Sequence, residues 1–426
     1  LDLQFYAKHA LIRACKIKNK RREKMKKTVL ISLVLAILLT MSLLAGCSSA
    51  PAAESSEAAS ETTSESAAPA ESGEAASEEA SAGGTTASGL PAISKEDMKV
   101  AFIYGSAIGE EGYSYAHDLG RQAVEEMGIQ TTYLENIPET AQFEKAVRDL
   151  IEQGYNVIYA TSYGYGEYVQ KLAEEYPDVY FNHATGSVTG TNLATYMGRL
   201  YQSQYLAGIA AGYRTASNKI GYVVSFPIPE VVSQVNAFTL GVRSVNPEAT
   251  VEVKWTNSWY DPVAEKTAGL ELVNSGCDVI IAYLDTMNAQ IAAAEKGAYA
   301  IGCSSPGGDV LPDAYLTAPI FHWANYYTND VQKIMDGTWT GEFQFFGLDS
   351  GVVDIDEMTD NNAEGAAEAV STAKEAIIDG SLDVFAGEIK DNEGTVRVAE
   401  GAAMTDEEIL TLDWFVEGVI GSVSGS

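Results

Sequence analysis

Histidine, cysteine and basic charge are all scarce in this chain. Its 426 residues contain four His, four Cys and 27 Lys plus Arg against 59 Asp plus Glu, for a formal net charge of −32. Ten of the basic residues and only two of the acids precede Cys47, so the remainder is more acidic still. Such a body repels polyphosphate, and no basic stripe offsets this, which excludes nucleic acid as a partner. No His stands in an HExxH string or beside a nucleophile in a recognisable motif, so the sequence carries no catalytic constellation. No enzymatic activity, metal or cofactor is expected. Gly164-Tyr165-Gly166 is a GxG fragment of the kind found in turns, and Asp354, Asp356 and Glu357 lack the spacing of a cation-binding loop. Cys277 precedes the apolar run 279–283, whereas Cys303 ends the run 298–302. If those runs are neighbouring parallel strands, the sulfurs lie at opposite sheet edges, roughly 15 Å apart at ~3.3 Å per residue. Free buried thiols are therefore expected.

Two further absences are local. Residues 48–90 contain no aromatic and consist mainly of Ala, Ser, Glu, Thr and Gly. Such a segment cannot bury enough apolar surface to offset its ordering entropy and reads as a flexible acidic tether. The apolar run 29–44 is broken only by Ser32, Thr40 and Ser42 and is flanked by Met25-Lys26-Lys27 and Leu44-Ala45-Gly46-Cys47. A basic start, an apolar middle and small residues at the break describe a secretory signal, and the run is short of the ~20 residues a membrane span needs. LAGC resembles a bacterial lipobox, which implies cleavage before Cys47 and a diacylglycerol on its sulfur. Residues 1–24 read as an upstream extension before a start at Met25, 25–46 as a signal peptide and 47–94 as the tether. The expected location is the outer face of the cell membrane, through a lipid anchor.

What remains is ample: the hydrophobic fraction is 46%, enough for the cores of two ordinary domains. The stretch 99–128 opens with an apolar run, passes through a loop of glycine and small residues, and continues with Ala116, Leu119, Ala123, Val124 and Met127 at helical spacing. That is a strand buried on both faces, a loop and a helix. The pattern recurs, with strands at 129–134, 155–160, 179–183 and 192–197 alternating with helices at 141–152, 166–176 and 202–213. It then starts over at 219–225, with helices at 229–245, 262–274 and 287–296 and strands at 250–256, 279–284 and 298–302. Alternation of this kind means βαβ units and parallel sheets. Two sets of similar size predict two α/β lobes, at 95–216 and 217–320, with 321–426 shared between them. Extended stretches at 315–320 and 347–353 read as crossovers, followed by a helix at 363–379 and a strand near 384–389. Open α/β sheets bind ligands outside the carboxyl ends of their strands, so the ligand site is expected where the two edges face each other.

Four segments carry a resemblance: GYSYAHDLGR at 112–121, YMGRLYQSQYLAGIAAG at 196–212, NKIGYVVSFPIPEVVSQVNAFTLGVRSVNP at 218–247 and WTNSWYDP at 255–262. In this order, behind a lipobox, the chain from 99 to about 385 resembles the basic membrane protein family of substrate-binding lipoproteins for ABC transporters, which includes purine-nucleoside receptors. The resemblance implies a type I periplasmic-binding-protein fold, two Rossmann-like lobes joined by a hinge. It implies a small purine ligand, permease and ATPase partners, and a monomer.

In the first lobe the resemblance puts an aromatic and a polar ligand contact on Tyr113 and Ser114; packing at a helix start is the competing reading of Tyr113. An aromatic face there can stack on a purine, worth ~1–3 kcal/mol. In the second lobe Asn257, Trp259, Tyr260 and Asp261 follow a strand directly, with Trp259 a candidate opposing ring. Asp261 reads equally as a helix cap before Pro262. Ser162, Tyr163, Phe226, Asp285 and Thr286 lie at other strand ends on the same edges, and Ser304 follows the run 298–302. The nucleoside receptors hold the sugar with an acid after the equivalent of that run and a lysine in the next crossover. Here the positions read Gly302-Cys303-Ser304-Ser305 and Ile320-Phe321-His322-Trp323, which shifts the expected ligand toward a free base. His322 and Trp323 either line the pocket instead or pack at a helix start. Two other readings keep a binding role: a sugar or amino-acid receptor of the same fold, and a surface sensor.

Overall fold

The structure, a computed structural model, describes residues 89–423; the signal-like run, Cys47 and most of the tether lie outside the described residues. The first lobe is built from β1 (Lys99–Ile103), α1 (Tyr113–Glu126), β2 (Gln130–Leu134), α2 (Ala141–Glu152), β3 (Val157–Ala160), α3 (Gly166–Glu175), β4 (Tyr180–Ala184) and β5 (Leu193–Gly198). Helix α4 (Leu200–Arg214) leads into the second lobe. That lobe comprises β6 (Lys219–Val224), α5 (Pro229–Val245), β7 (Thr250–Trp255), α6 (Pro262–Asn274), β8 (Val279–Tyr283), α7 (Asn288–Ala294) and β9 (Tyr299–Ile301). The chain returns through β10 (Pro319–Phe321) to α8 (Trp323–Met335) and β11 (Phe343–Phe346), then leaves again by β12 (Val353–Ile355) and α9 (Ala366–Ile378). It closes with the hairpin β13 (Ile389–Lys390) and β14 (Val396–Val398), the short α10 (Asp406–Ile409), and β15 (Val419–Ile420).

The sheets run β11-β5-β4-β3-β1-β2 and β15-β7-β6-β8-β9, parallel throughout. Each lobe therefore reverses its strand order beside its first strand, at β1/β3 and at β6/β8. Period-two alternation assigns the faces of β1: Val100, Phe102 and Tyr104 join the main core, and Ala101 and Ile103 the layer under α2 and α3. Phe102 stacks on Tyr159 with ring centroids 4.7 Å apart, and Tyr327 of α8 meets it edge-on at 5.0 Å. Burial of each such ring contributes about 1.5–3 kcal/mol. In the second lobe α4 and α5 cross at glycines: a Cβ on Gly208 would sit 2.1 Å from the Phe238 carbonyl oxygen, and one on Gly241 2.0 Å from that of Tyr205. Only hydrogen fits at either place.

Three sequence expectations need correction. The extended stretches at 315–320 and 347–353 shrink to β10 and β12, which pair antiparallel where the chain passes between the lobes. A 3-10 turn, Leu348–Ser350, ending at Gly351 with φ 68° takes up the rest of the second stretch. The strand near 384–389 is confined to Ile389–Lys390, because the Asp383 carboxylate accepts from Phe385 N at 3.0 Å and holds that segment in a turn. Cys277 and Cys303 are free and buried, before β8 and after β9 of one parallel pair. Among the described residues no helix is long and apolar enough to cross a membrane.

Candidate functional site

Strand-order reversal leaves a crevice at the carboxyl edge of a parallel sheet, and the two lobes bring two such crevices together around a cavity of about 290 Å³. From the first lobe come Gly105 and Ser106 after β1, Asn136 to Glu139 after β2, Thr161, Ser162 and Tyr163 after β3, and Thr185 after β4, with Tyr113 and Ser114 opening α1. The second lobe supplies Phe226 after β6, Glu230 in the first turn of α5, and Ser258, Trp259 and Tyr260 after β7. It also supplies Tyr283, Leu284 and Asp285 at the end of β8, and Ser304 after β9.

The lobes touch at one rim of the cavity. Ser106 Oγ donates to Asp285 Oδ2, and Gly112 N donates to Ser305 Oγ at 2.8 Å. A hydroxyl has one proton, so Ser106, having given its own to Asp285, accepts from Ser114 Oγ at 2.8 Å. Gly112 has φ 94° and ψ −167°, a conformation essentially confined to glycine. A Cβ there would stand 2.2 Å from the Asp285 carbonyl oxygen.

Glu139, Glu230 and Asp285 are the charged members of the lining. Burial pushes the Glu230 carboxyl up to about 7, against the lowering effect of the hydrogen bond that Tyr283 Oη donates to its Oε1 at 2.7 Å. Asp285 is also pushed up to about 7, by burial first, with the Ser106 hydrogen bond lowering it and Glu265 and Glu139 raising it. Glu139 Oε1 accepts from Ser162 Oγ at 2.5 Å and from Gly164 N at 3.0 Å. Among the described residues no group of His, Cys, Asp and Glu could hold a metal ion.

The rings on the two sides rest on different supports. Tyr113 stands edge-on to His117 at 4.5 Å; His117 stacks on Trp323 at 4.9 Å and 9°, and Trp323 on Phe321 at 4.6 Å and 18°. This ladder runs from the cavity wall to the β10 crossover. Burial lowers the His117 pKa well below its usual value, so the ring is neutral, and its Nδ1 lies 2.5 Å from Tyr327 Oη. On the second lobe Trp259 meets, among the described aromatic rings, only Phe226, edge-on at 5.4 Å.

Of the residues singled out in the sequence, Tyr113, Ser114, Ser162, Tyr163, Phe226, Trp259, Tyr260, Asp285 and Ser304 line the cavity; Asn257, Asp261, Thr286, His322 and Trp323 do not. Asn257 is an exposed turn residue at φ 52°. Asp261 caps α6, its Oδ1 accepting from Val263 N at 3.1 Å and Ala264 N at 3.0 Å. Thr286 Oγ1 donates to Glu265 and accepts from Asn288 N, tying down the start of α7. His322 is exposed, with Nε2 3.9 Å from Asp354 Oδ2. Trp323 is 2% exposed, a core residue whose side chain supports the wall from behind. Sequence reading missed Glu230 and Glu139. The signal for Glu230 was a correspondence between lobes: Tyr113 and Ser114 are the first two residues of the helix after β1, and Pro229 and Glu230 the first two after β6.

Comparison with known proteins agrees with this geometry. The family model described as "ABC transporter substrate-binding protein PnrA-like" (Bmp) matches residues 97–385. A putative ABC transporter glucose-binding protein from Haloferax volcanii is 38% identical over 342 residues, which is 80% of this chain and 84% of that protein. A purine-binding protein from Brucella abortus is 35% identical over 331 residues, 77% of this chain and 94% of that one. Among solved structures, an ABC transporter solute-binding protein from Aeropyrum pernix superposes with a TM-score of 0.59 at 18% identity, covering 73% of this chain and 97% of its own. That likeness gives the fold, two lobes of the type I periplasmic-binding class.

Proposed function

The chain belongs to the Bmp family of PnrA-like ABC transporter substrate-binding proteins, and from that premise we propose that it captures a purine base or purine nucleoside between its lobes and delivers it to a permease driven by a separate ATPase. Membership makes it an extracytoplasmic solute-binding protein and not an enzyme. The observation that carries the purine reading is the pairing of ring faces with acids on one cavity: Tyr113 on the first lobe, Phe226 and Trp259 on the second, and Glu230 and Asp285 between strand ends. Rings stack on a flat heterocycle, and carboxylates accept from its N–H groups. The Brucella relative, named for purine binding, supports it. A sugar is the second reading, because the Haloferax relative is named for glucose and hydroxyls also donate to carboxylates. Mass spectrometry of the small molecule that co-purifies with the protein separates the two. A purine supports the first reading, and a monosaccharide without any purine contradicts it.

The protein is proposed to act as a monomer held to the membrane through a lipid on Cys47, with its lobes, at 95–216 and 217–320, closing over the ligand. The LAGC string after an apolar run supports the anchor. Cys47→Ser should release the body or leave an unprocessed precursor; a processed, membrane-bound product would contradict the anchor.

A further inference from the structure

We infer that the cavity admits only ligands without negative charge, and that Glu230 holds such a ligand by accepting a hydrogen bond from it. The inference rests on the reading of this cavity as the ligand site, whichever small molecule fills it. Three carboxyl groups, Glu139, Glu230 and Asp285, line the cavity, and among the described residues no Lys, Arg or His does. Two helix N-termini, of α1 and α5, reach the same space, and such termini ordinarily attract anions. The first turn of α5 carries Glu230 itself; α1 has neither a side-chain cap nor an acid in its first turn, and its Gly112 N–H is taken by Ser305 Oγ, so the three carboxyls outweigh one partial positive terminus.

Each lining carboxylate, Glu230 among them, keeps one oxygen for a ligand. Ser162 Oγ and Gly164 N both donate to Glu139 Oε1, and Ser106 donates to Asp285 Oδ2, so Glu139 Oε2 and Asp285 Oδ1 have no partner among the described residues. At Glu230, Tyr283 donates to Oε1, while Oε2 has no partner among the described residues. A cavity-facing carboxylate oxygen without a donor is a place for an N–H or O–H of a ligand. A phosphate, carboxylate or ionised ring brings acceptors and charge to the same place and is repelled by the carboxylates there.

Protonation sharpens the test. With both carboxyls pushed up to about 7, an anion can enter if they take up protons, and that uptake becomes costlier as pH rises. Uncharged donors need none. Titratable groups facing Glu230 are Tyr283, Tyr113 and Cys303, all kept neutral by burial. Those facing Asp285 are Glu139, Glu265, Tyr113 and Tyr165, and none of them is a base.

The experiment is calorimetry on the full chain with uncharged and anionic partners: hypoxanthine and urate, adenosine and its 5′-monophosphate, glucose and glucuronate. At about pH 8.5, above both carboxyl titrations, the anion of whichever pair binds should be about 100-fold weaker. That factor corresponds to two unit charges ~6 Å apart at an effective dielectric of ~20. Near pH 6 the gap should narrow, and Glu230→Gln should recover much of the anion's loss at the higher pH. An anion that binds as tightly as its neutral partner at high pH overturns the inference, and so does a gap that neither pH nor Glu230→Gln changes. Absence of binding by every pair contradicts it together with the reading of the site. Glucose binding without glucuronate or any purine keeps the inference and refutes the purine reading; urate binding as tightly as hypoxanthine does the reverse.

Discussion

The two walls of the cavity come from lobes of matching topology and are chemically unlike. The first lobe offers Tyr113, a row of hydroxyls and one acid, Glu139, backed by packed rings; another of its acids, Asp330, is 1% exposed and is held away from the cavity by Tyr159 Oη at 2.6 Å. The second lobe offers two acids, Glu230 and Asp285, to the cavity and braces Trp259 lightly. Repetition of a βα framework thus fixes where ligand groups sit, at strand ends and first helical turns, while the residues placed there divide the work into a stacking face and an acceptor face.

The largest expected effect falls where the walls meet. Gly112→Ala adds strain in a conformation reserved for glycine, about 1–3 kcal/mol, and pushes a Cβ against the Asp285 carbonyl only when the lobes are together. Overpacking of that kind costs about 1–3 kcal/mol. Affinity should fall by at least tenfold beyond any loss of stability, read by calorimetry beside thermal melts. Unchanged affinity would mean that the bound state does not bring these loops together.

Next comes the acid that the first lobe keeps from the cavity. Burial pushes Asp330 up to about 6, above the ~3.9 of an unfolded Asp. A raised acid binds its proton more tightly in the folded state, so its contribution to stability is full below pH ~3.9 and is lost as pH rises through about 6. The loss is at most about 3 kcal/mol, two pKa units at ~1.4 kcal/mol each. Asp330→Asn should flatten the melting temperature between about pH 4 and 7 and leave ligand affinity alone. A change in affinity instead would place this acid in the binding machinery and erase the contrast between the walls.

Tyr113→Ala tests the stacking face. Loss of one ring against a base costs ~1–3 kcal/mol, about 5- to 150-fold in affinity. Trp259→Ala should cost no more, since its ring has a single aromatic neighbour among the described residues. A larger loss at Trp259 would reverse the assignment of faces.

The sequence made most of this legible for a physical reason. Strands buried on both faces read as apolar runs, and the residues just after them were candidates because parallel sheets bind ligands at that edge. Phe226, Asp285 and Ser162, which line the cavity, were singled out that way. Glu230 was not, because an acid in the first turn of a helix is ordinarily read as satisfying the helix dipole. Trp323 and His322 misled for the opposite reason. They follow a strand, β10, that belongs to neither main sheet, so its end does not point to the crevice, and Trp323 turns into the core. Asp261 had two readings, cap and ligand, and the structure shows the cap. The smallest expected effect follows: Asp261→Ala should lower stability by about 1 kcal/mol with affinity unchanged, and weaker binding at constant stability would restore it to the site.

The claim at the centre of this account is that an uncharged purine lies between an aromatic wall and an acidic one, and calorimetry with adenine, guanine, adenosine, guanosine, ribose and glucose tests it most directly. The account expects a base to bind at least as well as its nucleoside, because no acid–lysine pair remains at 302–305 and 320–323 to hold a ribose, and expects ribose alone not to bind. Binding of glucose with none of the purines would contradict it.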